Sequence, residues 1–222
     1  MTSHSPSQAT PLSQGTPLFI VLEGIDGSGT TTQLERLTAA LRARGRDVTA
    51  TREPSRGPIG LLLREILEGK HANPDGTTLD GRAMALLFAA DRRDHLTREI
   101  EPALAAGSDV ISDRYLLSSL AYQAVEADRA WVERLSEGVR APDLTVLLDV
   151  DIGVAAQRRL KAGRPVERYD ADGTLSRVVD NYRRLAAVVP DVVLLDGRAS
   201  IDDVTAAILG QVDAVLDRRR SR

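Results

Sequence analysis

The residues with the clearest chemical reading lie between Pro17 and Gln33, in the stretch PLFIVLEGIDGSGTTTQ. Gly24, Gly27 and Gly29 alternate with Ile25, Asp26 and Ser28, and Thr30, Thr31 and Thr32 follow directly. Glycines let backbone N–H groups converge on phosphate oxygens, and a helix starting behind them adds the positive end of its dipole. Gly24 to Gly29 has the spacing of the phosphate-cradle pattern G-x-x-x-x-G-K-[ST], with Thr31 where a magnesium-binding hydroxyl belongs. Thr30 stands where that pattern has lysine. A dinucleotide fingerprint fits less well, because its third glycine would fall on Thr32. A tight turn that binds nothing would need neither three glycines nor the threonine cluster.

Other residues carry weaker signals. Arg52, in Arg52-Glu53-Pro54, is either a surface arginine or a guanidinium able to clamp a phosphate through parallel hydrogen bonds. Phe88 and Arg92 share a helix face at i, i+4. Phe88 is a core residue, or with Arg92 it holds a flat base. Asp113 can hold water on Mg²⁺, and Arg114 beside it is a second phosphate clamp. Ser119, Tyr122 and Gln123 line one helix face next to Ser118, a polar stripe suited to a pocket wall. Arg158, Arg159, Lys161, Arg164 and Arg168 surround Gly163-Arg164-Pro165. They are a solvated surface or a mobile lid that brings cations onto a polyphosphate.

The elements that must position these residues alternate along the chain. Leu18–Leu22, Asp47–Thr51, Asp109–Ser112, Leu144–Val150 and Asp191–Leu195 read as strands, the first and fourth apolar enough to be buried on both faces. Helix patterns fall at residues 30–41, Gly57–Leu67, Gly81–Ala106 with an interruption near Pro102, Tyr115–Glu137, Ile152–Leu160, Leu175–Val188 and Ile201–Leu216. A turn-rich loop, Lys70–Asp80, separates two of them. This order predicts an α/β fold of three layers: a five-stranded parallel sheet with helices on both faces and a lid segment at about 158–172. Ligands then lie beyond the carboxyl ends of the strands, with the glycine loop, Arg52, Asp113 and Asp151.

Composition narrows the function classes. The 222 residues are 42% hydrophobic with no long apolar run, which predicts one soluble domain and no membrane span. The net charge of −3 argues against general nucleic-acid binding. The chain has no cysteine, which excludes disulfides and thiolate metal sites and suits a reducing, cytoplasmic compartment. Residues 1–16, polar and without Lys or Arg, read as a disordered tail rather than a signal peptide. Residues 17–217 form the domain, and 218–222 a basic end that complements a helix dipole.

Together the motifs LEGIDGSG, TREP, LLFAADR, DRYLLSSLAYQ, VERYD, DNYRRLA and LLDG resemble, in order, the thymidylate kinase family of P-loop nucleoside monophosphate kinases. The resemblance implies the P-loop NTPase fold and transfer of phosphate from ATP to dTMP, giving dTDP for dTTP synthesis, with Mg²⁺ and as a homodimer. It implies that Gly24, Gly27, Ser28, Gly29, Thr30, Thr31 and Thr32 bind ATP. Thr31 and Asp113 would serve the metal. Phe88 would stack on thymine and Arg92 would meet its O4 edge, with Ser119 and Gln123 facing the base. Arg52 and Arg114 would hold the dTMP phosphate, Asp26 would reach the 3′-hydroxyl, and Tyr122 would crowd C2′. Catalysis would involve Asp26, Arg114 and a lid arginine among Arg158, Arg159, Arg164 and Arg168. The family has lysine where this chain has Thr30, and a replacement cation from the lid is the favoured reading. Two alternatives are a catalytically impaired nucleotide-binding protein and a deoxynucleoside kinase on the same scaffold.

Overall fold

The computed structural model describes residues 16–72, 75–77, 79–163 and 173–221. Five strands form one parallel sheet: β1 (Phe19–Glu23), β2 (Val48–Arg52), β3 (Asp109–Asp113), β4 (Leu144–Asp149) and β5 (Val192–Asp196), in the order β2-β3-β1-β4-β5. Register aligns Leu22 with Asp113 on one side and with Val146 on the other, and aligns Arg52 with Asp113. β1 is central, with β3 and then β2 on one side and β4 and β5 on the other; the chain crosses over β1 between β3 and β4, and a crevice opens beyond the carboxyl ends of the strands there.

Alternation along β1 feeds two cores. Leu18, Ile20 and Leu22 pack with α1 (Thr30–Ala43) and α9 (Ile201–Arg220). Phe19 and Val21 face the opposite layer, where Leu96, Ile100 and Tyr115 close over them. Beside that layer, α5 (Leu116–Tyr122) and α8 (Thr174–Val188) pack together around Ala121, Val178 and Tyr182. Side chains of a strand alternate between faces, so a strand apolar at every position lies between two helix layers. The predicted three layers are therefore present.

Several boundaries differ from the sequence expectation. The expected interruption of residues 81–106 is present but begins ahead of Pro102: α3 spans Gly81–His95, a π-helical turn covers Leu96–Ile100, and α4 is Glu101–Ala105. Pro102 has no N–H to continue an α-helical ladder, and the widened turn before it absorbs the break while still burying Leu96 and Ile100. Tyr115–Glu137 likewise divides into α5, a 3₁₀ turn at Gln123–Val125, and α6 (Arg129–Leu135). Asp128 starts α6, its carboxylate accepting from Trp131 N at 2.9 Å, which fixes a break that apolar periodicity conceals. The two remaining helices are α2 (Pro58–Leu67) and α7 (Ile152–Lys161). The basic end is a continuation of α9 as far as Arg220. Arg219 there donates to Pro17 O at 3.0 Å and pairs with Asp143.

Candidate active site

Backbone conformation builds the glycine-loop end of the site. Gly27 has φ 91°, and a Cβ there would lie 2.4 Å from Ala155 O of α7. Only glycine permits that approach. Gly29, at φ 107°, turns the chain into α1, and no side chain caps the helix. The first-turn N–H groups therefore face the cavity as anion donors. That cavity has a volume of about 380 Å³ and runs from the loop across Thr30, Thr31 and Asp113 to Gly197.

Thr31 Oγ1 donates to Asp113 Oδ2 at 2.7 Å, while Asp113 Oδ1 is buried without a partner. Both residues line the cavity, and their hard oxygen donors suit Mg²⁺ shared with a polyphosphate. The residues present thus fit such an ion. Thr30 is buried at the first position of α1 and lines the same space. Two arginines of α7 reach the loop. Arg158 Nη1 donates to Ser28 O at 3.3 Å and Gly197 O at 2.9 Å, and Arg159 Nη1 donates to Asp26 O at 3.5 Å. Both guanidinium groups thus reach the carbonyls of a loop that has Thr30 where the phosphate-loop pattern has lysine. Arg164 and Arg168 lie outside the described residues.

The other end, around Arg114, is a dense network. Arg114 has φ 75°, a conformation few non-glycine residues adopt and one that clusters at functional sites. Its guanidinium pairs with Asp26 at 2.9 Å, donates to Tyr182 OH at 3.4 Å and to Ser118 Oγ at 3.3 Å, and lies 5.3 Å from the Tyr122 ring centroid. Burial works against its charge, but Tyr122, Asp26 and other neighbours hold its pKa well above the usual value. Beneath it, Glu23 is fully buried and accepts from Tyr115 N, Ser118 Oγ and Tyr182 OH at 3.0, 2.6 and 3.1 Å. Burial raises the Glu23 carboxyl, and Ser118 offsets part of the effect.

Arg52 is half-buried at the end of β2 and makes no ion pair among the described residues. Arg92 is 1% exposed and held by protein groups: Glu53 at 3.2 Å, Ser136 at 3.2 Å, and Ser119. Its guanidinium also lies 5.4 Å from the centroid of Tyr115. Phe88 is partly buried against Leu63, Ile66 and Met84. Gln123 sits in the 3₁₀ turn, 2% exposed, with Oε1 unpartnered. The structure therefore brings Asp26, Arg114, Tyr122, Thr31, Asp113, Arg158 and Arg159 to one crevice. It joins Arg92 and Ser119 to a buried network beside it.

A profile describing thymidylate kinase matches residues 22–208, a span that contains the loop, the Arg114 network and α7. The chain belongs to the thymidylate kinase family. Relatives agree along most of its length. A protein of Thermococcus kodakarensis named "Probable thymidylate kinase" is 37% identical over 203 residues, 90% of this chain and 98% of its own. Thymidylate kinases of Bifidobacterium longum subsp. infantis and of Bifidobacterium longum are 42% and 43% identical. Their matches cover 90% and 86% of this chain, and 87% and 95% of theirs. The chain is thus a phosphotransferase of the kinase class, on a P-loop α/β scaffold.

Sequence reasoning assigned no role to Glu23 or Tyr182. Glu23 carries a signal in hindsight, as the single charged residue at the end of a wholly apolar strand. Tyr182 is one of four tyrosines, and nothing near it in the sequence points to Arg114.

Proposed function

We propose that this protein transfers the γ-phosphoryl group of ATP to dTMP, with the α7 arginines supplying the charge that the missing lysine would bring. The observation that carries the reading is the joining of the two ends. Asp26 takes Arg159 on its carbonyl and Arg114 on its carboxylate, so donor loop and acceptor clamp meet at one residue.

In this reading the acceptor phosphate lies between Arg52 and Arg114, and the base extends toward Phe88, Tyr122 and Gln123. Asp26 orients Arg114 and reaches the sugar hydroxyl. An oxygen of the dTMP phosphate, already ionised at neutral pH, forms the new bond to the γ-phosphorus as the bond to the bridging oxygen of ADP breaks. No general base is required, so positioning and charge stabilisation supply the catalysis. Loop N–H groups hold the donor phosphates, and Arg158 and Arg159 meet charge spreading onto the transferred group. Thr31 and Asp113 would hold Mg²⁺, which when bound neutralises the β- and γ-phosphates. Homodimer formation fits the exposed leucines Leu61 and Leu62 of α2 and Leu86 of α3. No helix among the described residues is long and apolar enough to cross a membrane, and the lack of cysteine suits a cytoplasmic setting.

The test is ADP production from ATP and Mg²⁺ with dTMP or thymidine as acceptor. Turnover with dTMP and little with thymidine supports the proposal. Thymidine used as well as dTMP would make the protein a deoxynucleoside kinase, and turnover with neither would leave a binding protein.

A further inference from the structure

A second charged cluster lies under the acceptor end. Glu53 follows Arg52, but its side chain turns inward to 6% exposure. Its two carboxylate oxygens are held from α3, where Arg92 Nε donates to one at 3.2 Å and His95 Nδ1 faces the other at 3.3 Å. The second ring nitrogen of His95 lies 2.7 Å from Thr51 Oγ1 and 3.5 Å from Glu99 Oε2. A neutral imidazole has one N–H and could satisfy Glu53 and accept from the Thr51 hydroxyl, whereas the imidazolium donates from both nitrogens and meets a carboxylate on each side.

The surroundings favour that charge. Burial lowers the His95 pKa, but the hydrogen bonds to Glu53 and Glu99 outweigh it and push it up to about 9. One turn earlier on α3, Asp91 adds a carboxyl that burial raises and Ser55 partly lowers. Arg92 across Glu53 and Arg56 beside Glu99 are the opposing cations. The backbone of the same loop is fixed separately, since Glu53 N donates to Asp113 O at 3.0 Å.

We propose that His95 is a positioning residue for the acceptor: as an imidazolium it grips the Glu53 carboxylate together with Arg92, and so holds Arg52 at the sheet edge where the dTMP phosphate binds. The inference rests on the acceptor assignment above. It makes acceptor affinity depend on a buried proton far from the transferred group.

The experiment compares steady-state kinetics of the unaltered protein, His95→Gln and Glu99→Gln with ATP, Mg²⁺ and varied dTMP between pH 7 and 10. At pH 7, His95→Gln is expected to raise KM for dTMP about ten-fold with kcat within about two-fold. The KM ratio of variant to unaltered protein then closes toward one by pH 10, where the unaltered protein has lost its imidazolium as well. Ionisation of dTMP itself cancels in this ratio. Glu99→Gln removes one partner of the ring, so its KM rises at a lower pH than in the unaltered protein. Glu99 is partly exposed, and that variant carries the test if His95→Gln does not fold. A ratio independent of pH, or a loss of kcat with unchanged KM, overturns the proposal and leaves the acceptor assignment standing. Absence of dTMP turnover in the unaltered protein overturns both.

Discussion

The two ends of the crevice are built on different principles. The acceptor end is over-determined: Arg114 has four side-chain partners, and Glu23, Ser118 and Tyr182 hold one another beneath it. The donor end is made mostly of backbone, with Gly27 and Gly29 shaping a loop that offers N–H groups and little side-chain chemistry. Several donors converge on Glu23, so it keeps Tyr115 N, Ser118 N and Tyr182 OH when the Ser118 hydroxyl is removed. A backbone cradle has no such reserve, and a single missing cation there must be met from outside it. Thr30 holds the position that the phosphate-loop pattern gives to lysine, and in the proposed reading α7 is the element that reaches it.

The contrast breaks most readily at the donor end. Replacing Arg158 and Arg159 together by alanine should lower kcat by about 10²–10³, as removal of a preorganised charge-stabilising group does, with KM for dTMP little changed. A rise in KM for ATP with kcat unchanged would instead make these arginines ordinary ligands of ATP. Asp113→Asn should lower kcat about 100-fold and raise the Mg²⁺ concentration needed for half-maximal rate, because a neutral amide holds the hydrated ion less well. An unchanged Mg²⁺ titration would remove Asp113 from the metal site.

The acceptor end should respond to pH in stability as well as in affinity. His95 is raised from 6.5 in the unfolded chain to about 9 in the fold, so its contribution is complete below pH 6.5 and lost as pH rises through 9. That contribution is on the order of 3 kcal/mol at most. Denaturant unfolding at pH 6.5, 8 and 9.5 should give a falling stability that His95→Gln flattens. The smallest effect is expected within the network itself. Ser118→Ala removes one of several donors to Glu23 and should cost about 1–2 kcal/mol of unfolding free energy, with kcat within roughly three-fold. A hundred-fold kinetic loss there would show the network to be as fragile as the loop.

Much of this arrangement was legible in the sequence because its causes are local. A strand apolar at every position, three glycines at fixed offsets and an aspartate closing β3 each carry their own physical reason. The interruption near Pro102 was legible too, but its π-helical form and the second break, at Gln123–Val125, were hidden for the opposite reason. The π-helical turn at Leu96–Ile100 is set by packing against Phe19, Val110 and Tyr115, which the sequence holds far apart. Long range also concealed Glu23 and Tyr182, whose hydrogen bond joins residues 159 positions apart. His95 reads locally as one more polar residue on a helix, and only the approach of β2 reveals carboxylates on both sides of its ring. Arg92 illustrates a subtler limit. Its spacing from Phe88 was visible, while its burial against Glu53 and Ser119 depends on three separate elements.

The central claim is that charge on α7 stands in for the absent lysine. It is tested most directly by kcat for dTMP phosphorylation in four proteins: unaltered, Thr30→Lys, Arg158→Ala/Arg159→Ala, and the combination of all three changes. The account predicts robust turnover by the unaltered protein, a small response to Thr30→Lys alone, a large loss in the arginine variant, and substantial recovery when Thr30→Lys is added to it. An inert unaltered protein awakened by Thr30→Lys, or an arginine variant as active as its parent, would contradict it.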